Sequence, residues 1–291
     1  RQLGQIDTFS QNVEIAQKEL SALDDLMDLA NGYLSNAWDK AVQANNQTYS
    51  ETSLKALKVE IDELTKTMVD LANTEYDNNY IFSGANTKTI PYTMDDNGDI
   101  IYNGTPHDNP DYIRQTEVAD GVFETINTTG DKVFGYYKAQ AQDANGNNLF
   151  TDVDGKTVVE TVDAQTGAKS YAYEDGTAYA GDTADLTSKE DYSGVMGALK
   201  KLSNSIQKVL DGKTEEGYKE MNSTLDMFSN SLTQITTEQT KFGGVANRLE
   251  MTSSTLETNN ENLTGYLSEI KDIDLTTAIT NWMQAQYAYQ A

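Results

Sequence analysis

The sequence predicts an α+β fold: an elongated antiparallel bundle of long helices formed by both chain ends, with an inserted β-rich domain. Three observations carry that prediction. Apolar residues near the N-terminus recur at gaps alternating three and four, and the same texture returns toward the C-terminus. Between the two, turn dipeptides punctuate short β-prone runs. The expected boundaries are 1–80 for the first half of a helical rod, 81–191 for the β-rich insertion and 192–291 for the second half of the rod. A chain of 291 residues makes roughly two domains, or one body with an insertion, at about 150 residues each.

The first seam is Ile6, Phe9, Val13, Ala16, Leu20, Leu23, Met27, Ala30, Leu34, Ala37, Ala41 and Ala44. At this composition chance produces such a series with a probability on the order of 10⁻⁵. A helix of about 40 residues, near 60 Å at a rise of 1.5 Å, is therefore expected. Asn31-Gly32 lies inside it and costs about 1 kcal/mol of local propensity. After the polar stretch 45–50, Leu54, Leu57, Ile61, Leu64, Met68 and Leu71 repeat the alternation, so the chain doubles back as a second helix.

In the middle, Asn97-Gly98, Asp120-Gly121, Thr129-Gly130, Asp154-Gly155, Thr166-Gly167 and Asp175-Gly176 separate stretches such as 100–102, 122–126 and 157–162. That spacing predicts hairpins. Thr187 followed by Glu190 reads as a capping box before Val195, Leu199, Leu202, Ile206 and Val209, and Asp211-Gly212 reads as the stop. Glu215 and Glu216 favour a new helix start through the macrodipole. From there the seam is Tyr218, Met221, Leu225, Phe228, Leu232, Ile235, Gln239, Phe242, Ala246, Leu249, Ser253, Leu256, Asn260, Leu263, Leu267 and Ile270, a helix of about 55 residues or roughly 80 Å.

A heptad seam serves either an internal core or a face kept for another chain. The two helical blocks have comparable lengths and each needs a partner, which favours the internal core. Gln239, Ser253 and Asn260 are polar seam positions that either fix register, line an inter-chain contact, or sit weakly buried near a rod end. Gly243-Gly244 weakens the long helix locally, and either close approach of another backbone or flexibility accounts for it.

Composition narrows the chemistry. Lys and Arg total 21 against 46 Asp and Glu, a net charge of −25, which argues against nucleic acid and anionic membrane surfaces as partners. No cysteine is present, so disulfides, thiolate nucleophiles and Cys-zinc sites are excluded. The longest apolar runs fall far short of the roughly 18 residues of a membrane span. His107 stands alone in a polar loop, which reads as solvated rather than zinc-binding. The acidic loops 95–99, 143–148 and 152–155 hold oxygen ligands for calcium but not the EF-hand pattern, and hairpin turns explain them. No nucleophile elbow, Walker loop, dinucleotide fingerprint or zinc-protease helix occurs. Trp38 and Trp282 are read as rod packing, and the tyrosines at 136–137 and 171–179 as strand faces. Five Asn-x-Ser/Thr triplets, at Asn46, Asn103, Asn127, Asn222 and Asn262, are expected by chance in a chain so rich in Asn and Thr. The expectation is a non-enzyme, with no catalytic, cofactor-binding or metal-binding residue assigned.

Several runs carry a resemblance. Asn79-Tyr80-Ile81-Phe82-Ser83-Gly84 directly after a heptad helix, then Pro91-Tyr92, Ile101-Tyr102-Asn103-Gly104 and Gly130-Asp131-Lys132-Val133-Phe134, resemble the flagellar hook-associated protein 3 family of the hook–filament junction. Phe242-Gly243-Gly244-Val245-Ala246-Asn247-Arg248-Leu249-Glu250, followed by Leu263, Ile270, Asp272-Ile273-Asp274 and Ala278, is similar to the long C-terminal helix of the flagellin superfamily and its Asp-x-Asp break. The resemblance covers both helical arms and the first β segment to about Gly135. It implies a structural flagellar subunit that self-associates in a ring, with hook-associated protein 1 below and flagellin above. It also implies export through the flagellar type III apparatus to the cell exterior without a cleaved signal peptide; an absence of thiols suits passage as an unfolded chain.

Two departures qualify it. The family carries further terminal helical segments, so a chain running from Arg1 to Ala291 reads as a trimmed core without the ends that form the inner tube, and is expected to be monomeric in solution. Residues 136–191 match no family pattern and extend the outer domain. The rival readings are a flagellin-type filament subunit, or a secreted adhesin or carbohydrate-binding module on a helical stalk.

Overall fold

The N-terminal seam forms one helix, α1 (Gln2–Ala44, 43 residues), in a computed structural model that describes residues 2–95 and 98–290, the side chains of 271–275 and 290 excepted. Every seam residue from Val13 to Ala44 is buried, while Ile6 and Phe9 are half-buried. The second helix, α2 (Glu51–Ala72), starts at Ser50, whose hydroxyl accepts from the Ser53 N–H at 3.2 Å. Glu51 in its first turn suits the macrodipole. Leu54, Leu57, Ile61, Met68 and Leu71 form its buried side and Leu64 is half-buried.

The middle of the chain supplies antiparallel sheets. β1 (Glu75–Tyr76) and β2 (Asn79–Tyr80) are joined by Asp77 and Asn78, both left-handed at φ 50 and 58, as a two-residue hairpin turn requires. A four-stranded sheet has the order β12 (Asp191–Ser193), β7 (Tyr136–Lys138), β4 (Ile100–Tyr102), β3 (Tyr92–Met94). β5 (Gln115–Ala119) and β6 (Val122–Thr125) pair across Asp120-Gly121. A second four-stranded sheet runs β10 (Lys169–Tyr173), β9 (Thr157–Val162), β8 (Asn148–Thr151), β11 (Thr187–Ser188), turning at Asp154-Gly155 and Thr166-Gly167. Asp175-Gly176 turns the chain between the bridged Ala172 and Ala178. Of the dipeptide Asn97-Gly98, Asn97 lies outside the described residues.

Two local expectations fail. Thr129-Gly130 is not a hairpin turn: Gly130 opens a short helix, α3 (Gly130–Val133), and Thr129 is bridged to Ser83. Thr187 and Glu190 are not a capping box. Thr187 is paired with Thr151 in β11, and the Glu190 carboxylate accepts from the hydroxyls of Tyr137 and Tyr192. The helix that follows, α4 (Gly194–Leu210), begins at Ser193, which makes no side-chain cap. Both residues had better partners across the sheet than along a helix.

Asp211 closes α4 and Gly212 follows at φ 87, the left-handed stop the sequence indicates. The last helix, α5 (Thr214–Gln290), has 77 residues and Glu215 and Glu216 in its first turn. It is longer than the expected 55 or so. Asp272-Ile273-Asp274 falls within its span, with side chains outside the described residues. Its buried residues also differ from the predicted seam. Met221, Phe228, Ile235, Phe242, Leu249 and Leu256 are buried as expected, but their deep partners are Thr224, Ser231, Glu238 and Val245. Leu225, Leu232, Gln239, Ala246 and Ser253 are only half-buried. Thr224 and Ser231 can go inside because their hydroxyls donate to their own helix, to Met221 O at 2.6 Å and Met227 O at 2.8 Å. Gly243 and Gly244 have no backbone pressed against them; a Cβ at Gly243 meets nothing within 4 Å.

The chain divides into two compact units, Arg1–Ala22 with Gln115–Ile126 and Lys241–Ala291, and Leu23–Arg114 with Asn127–Thr240. In the larger unit the Gln239 amide donates to Asp28 Oδ1 at 2.7 Å and the Asn45 amide to Asn222 Oδ1 at 3.1 Å, so α1 and α5 run antiparallel. Lys40 pairs with Glu60 between α1 and α2. Ser203 donates to Asp62 at 2.5 Å between α4 and α2, and Lys208 bridges α4 to Glu216 and Glu220 of α5. In the smaller unit the β5–β6 hairpin accompanies the start of α1 and the end of α5, where Asn260 donates to Asp7 at 3.4 Å.

Candidate assembly surface

The runs at 79–84, 91–92, 101–104 and 130–134 that carry part of the family resemblance converge in the larger unit, whereas the 242–250 run belongs to the smaller one. Phe82 and Phe134 are fully buried and meet edge to face, 4.8 Å apart, and Tyr92 packs on Phe134 at 6.4 Å and on Tyr102 at 5.3 Å. The Tyr92 hydroxyl donates to Gly135 O and the Tyr102 hydroxyl to Phe82 O, both at 2.8 Å, and the Gly130 N–H donates to Phe82 O at 2.7 Å. Burial, reinforced for both by the Asp131 carboxylate, pushes both phenols up. They therefore stay O–H donors at any physiological pH. Segments as far apart in sequence as Phe82 and Phe134 are thereby tied together.

Gln239 holds register within the same unit. Besides donating to Asp28, it accepts from the Asn31 amide at 2.6 Å, so a polar seam residue marks one level of α1 against α5. Asn260 does the same against Asp7 in the smaller unit, whereas Ser253 is half-buried.

In the smaller unit the β5–β6 hairpin is pinned to both helices. The Asn12 amide donates to Glu117 O at 2.8 Å, and the Arg248 guanidinium grips Glu124 twice, Nε to Oε1 at 2.7 Å and Nη2 to Oε2 at 2.6 Å. Those guanidinium hydrogen bonds hold the Glu124 carboxyl below its usual range, against the opposing effect of desolvation. A carboxyl lowered in the folded state contributes fully above its unfolded value, near 4.3, and loses the contribution as pH falls through the folded value. Arg248→Met is expected to weaken hairpin closure by about 1 kcal/mol at neutral pH, a figure kept small because Arg248 is half exposed. Hydrogen exchange of the hairpin amides, corrected for intrinsic rates, should show the two proteins converging in acid. A difference that persists unchanged in acid would contradict this account.

Beyond the hairpin the apolar side chains of α5 turn outward. Tyr266, Leu267 and Ile270 are exposed, and farther on Ile279, Trp282, Met283 and Tyr287 stand at i, i+3, i+4 and i+8, one stripe of the helix. Trp282 is 63 % exposed, so the expectation that it packs within the rod is wrong; Trp38 is half-buried. From Thr276 to Tyr289 every side chain of α5 is exposed, so among the described residues nothing covers this stripe. A contiguous apolar and aromatic face of this kind marks an interaction surface.

His107 is 51 % exposed, and Asp131 Oδ2 contacts its Nδ1 at 2.8 Å and accepts its backbone N–H at 3.1 Å. Asp143 and Asp152 accept backbone N–H groups of their own turns, from Asn145 and Asn147 and from Asp154 and Lys156. In the 95–99 loop, Asp96 and Asn97 lie outside the described residues. Among the described residues no group of three or more His, Cys, Asp or Glu is placed to hold a metal ion, and no helix is long and apolar enough to cross a membrane. Asn127 is buried, donating to Tyr112 O and accepting from the Arg114 N–H, a role no triplet motif would suggest.

Residues 1–87 match the bacterial flagellin N-terminal helical region and residues 225–291 the bacterial flagellin C-terminal helical region. The chain is 23 % identical over 277 residues to flagellar hook-associated protein 3 of Escherichia coli strain K12, covering 95 % of this chain and 73 % of that protein. It is 21 % identical over 313 residues to a flagellin of Clostridium tyrobutyricum, covering 96 % and 80 %. Its fold matches the crystal structure of hook-associated protein 3 from Legionella pneumophila with a TM-score of 0.67 at 19 % identity, covering 94 % of this chain and 98 % of that one. The chain belongs to the flagellin superfamily, whose members are structural proteins of the bacterial flagellum. Within that superfamily its likeness is to the hook-associated protein 3 type.

Proposed function

We propose that this chain is the structural subunit that joins the flagellar hook to the filament. The observation that carries the reading is the pairing of the two flagellin-type helical regions on one another, with an apolar face of α5 left uncovered for assembly. Copies of the chain associate in a ring at the junction, hook-associated protein 1 lies below and flagellin above, and the β-rich stretch 81–191 is carried by helical stretches 1–80 and 192–291. The subunit reaches the cell exterior through the flagellar export apparatus without a cleaved signal peptide. Its chemistry is adhesion between surfaces rather than turnover, and the chain alone is monomeric in solution until a hook template concentrates it.

A filament role is favoured by the likeness to a flagellin, and one experiment separates the two. Deleting the gene is expected to leave hooks in place and release flagellin monomers into the medium. Hooks that still carry full filaments would overturn the junction reading. Bare hooks with no released flagellin would transfer the chain to the filament itself.

A further inference from the structure

We propose that the cleft bounded by α3, the β12–α4 junction and α5 holds the guanidinium of an arginine side chain from a bound polypeptide, with Asp131 as its anionic partner. Asp131 stands in the first turn of α3 with its side chain 9 % exposed. Oδ2 takes both contacts from His107, the ring Nδ1 at 2.8 Å and the backbone N–H at 3.1 Å. Oδ1 is buried and receives no hydrogen bond. A carboxylate oxygen in that state has lost its water without gaining a donor, and native structures seldom leave one so. The donors around it are committed: Lys132 pairs with Glu238, and the Tyr92 and Tyr102 hydroxyls donate to the carbonyls of Gly135 and Phe82. The missing donor is supplied from outside.

The cleft, of about 560 Å³, lies within the larger unit. Asp131 lines it together with Met227, Asn230 and Gln234, which stand at i, i+3 and i+7 of α5, and with Ser193, whose hydroxyl makes no helix cap. It therefore offers a carboxylate, two carboxamides and a hydroxyl, all able to accept, beside one flexible apolar side chain. That set fits a planar cation with several N–H donors on an aliphatic stem. The fork spans the two oxygens of Asp131, a carboxamide takes a remaining donor, and Met227 packs on the stem. A metal ion fits less well, because among the described residues no group of three or more His, Cys, Asp or Glu is placed to hold one. The free amino acid fits less well too: Lys132, the lysine of the cleft, is already paired and leaves an α-carboxylate without a cation. His107 is the cover. Its ring is 51 % exposed and lines the same cleft, so it can swing off Oδ2 as the guanidinium takes both oxygens. The inference is independent of the junction reading.

Because the sequence contains a single histidine, the imidazole NMR signals of the purified chain report on the neighbourhood of Asp131 alone. Titration with N-acetylarginine amide is expected to shift them saturably. N-acetylcitrulline amide, the uncharged isostere, should leave them in place, and free arginine and N-acetyllysine amide should each bind at least about threefold more weakly than the capped arginine. Asp131→Asn is expected to weaken binding of N-acetylarginine amide at least about tenfold, the loss that goes with a charged hydrogen-bond partner. His107→Ala, followed by calorimetry, should bind at least as tightly as the native chain because the cover is gone. Thermal melting checks the fold of both variants, and the comparison of arginine with citrulline on the native chain needs neither. No saturable shift, an equal response to citrulline, or unchanged affinity in a folded Asp131→Asn protein would overturn the site. Free arginine binding as tightly as the capped form would overturn the polypeptide as its source, and lost binding in His107→Ala would overturn the cover.

Discussion

Gly135→Ala is expected to destabilise the protein by more than about 4 kcal/mol, lowering its thermal midpoint by roughly 10 °C. Two effects add. Gly135 sits at φ +71, a left-handed conformation that disfavours any Cβ by about 1–2 kcal/mol. A Cβ there would also stand 2.0 Å from the carbonyl oxygen of Ser193 and 2.6 Å from the nitrogen of Gly194. Those are backbone atoms of β12 and of the first turn of α4, so no rotamer change relieves the clash. Ser193 is in register with Tyr136, and the Met196 N–H donates to Phe134 O at 2.9 Å. Moving either strand therefore breaks the ladder and the start of the helix together. Gly121→Ala provides the control, because Gly121 has the same φ of +71 and nothing within 4 Å of the added carbon. Its expected loss is the conformational term alone. Equal midpoints for the two variants in circular-dichroism melts would show that backbone conformation, not the crossing of two segments, fixes Gly135.

The sequence made the helices legible because their burial follows one repeat. Every apolar position from Val13 to Ala44 that the heptad selects is inside. The reading of α5 went astray by running the seam through Leu225, Leu232 and Ala246, which are half-buried, instead of Thr224, Ser231, Glu238 and Val245, which are buried. Thr224, Ser231 and Glu238 recur at seven-residue steps, each three residues after Met221, Phe228 and Ile235. That constant offset was a signal available in the sequence. What could not be seen was how their polar atoms are satisfied, since two donate within their own helix and the third depends on Lys132, more than a hundred residues away. The hairpin at Asp120-Gly121 was legible for the same reason as the helices, a local pattern. Its attachment through Asn12 and Arg248 was not, because no spacing rule links residues so distant. The reading of Thr187 and Glu190 as a cap shows the opposite error, a local motif outcompeted by sheet partners. Trp282 shows a further limit. A helical position inside an apolar stripe says that the residue seeks a partner, but not whether the partner is in the same chain.

Glu238 leads to the second large effect, because it is a carboxylate 3 % exposed inside the α5 seam. Lys132 Nζ stands 2.7 Å from its Oε1, and the Thr128 hydroxyl donates to Oε2 at 3.1 Å. Lys132 opens toward solvent at 28 % exposure, so the pair spans the boundary between the core and water. Taking both charges out of water is unfavourable, and their attraction returns only part of it; removing one partner leaves the full penalty on the other. Lys132→Met is therefore expected to destabilise by about 3 kcal/mol, near the lower end for a broken buried pair because of the exposed lysine. Adding Glu238→Leu should recover most of that loss, since a leucine at this depth meets Ile235 and Phe242 of the same seam. The single change Glu238→Leu, leaving a lysine that can turn outward, should cost far less than Lys132→Met. Urea unfolding of the four proteins of this cycle gives the coupling directly. Additive losses in the double variant would mean that the ion pair does not set the stability of this contact. Recovery of stability with poorer junction assembly would mean that the charges are retained to fix the placement of α3 on α5.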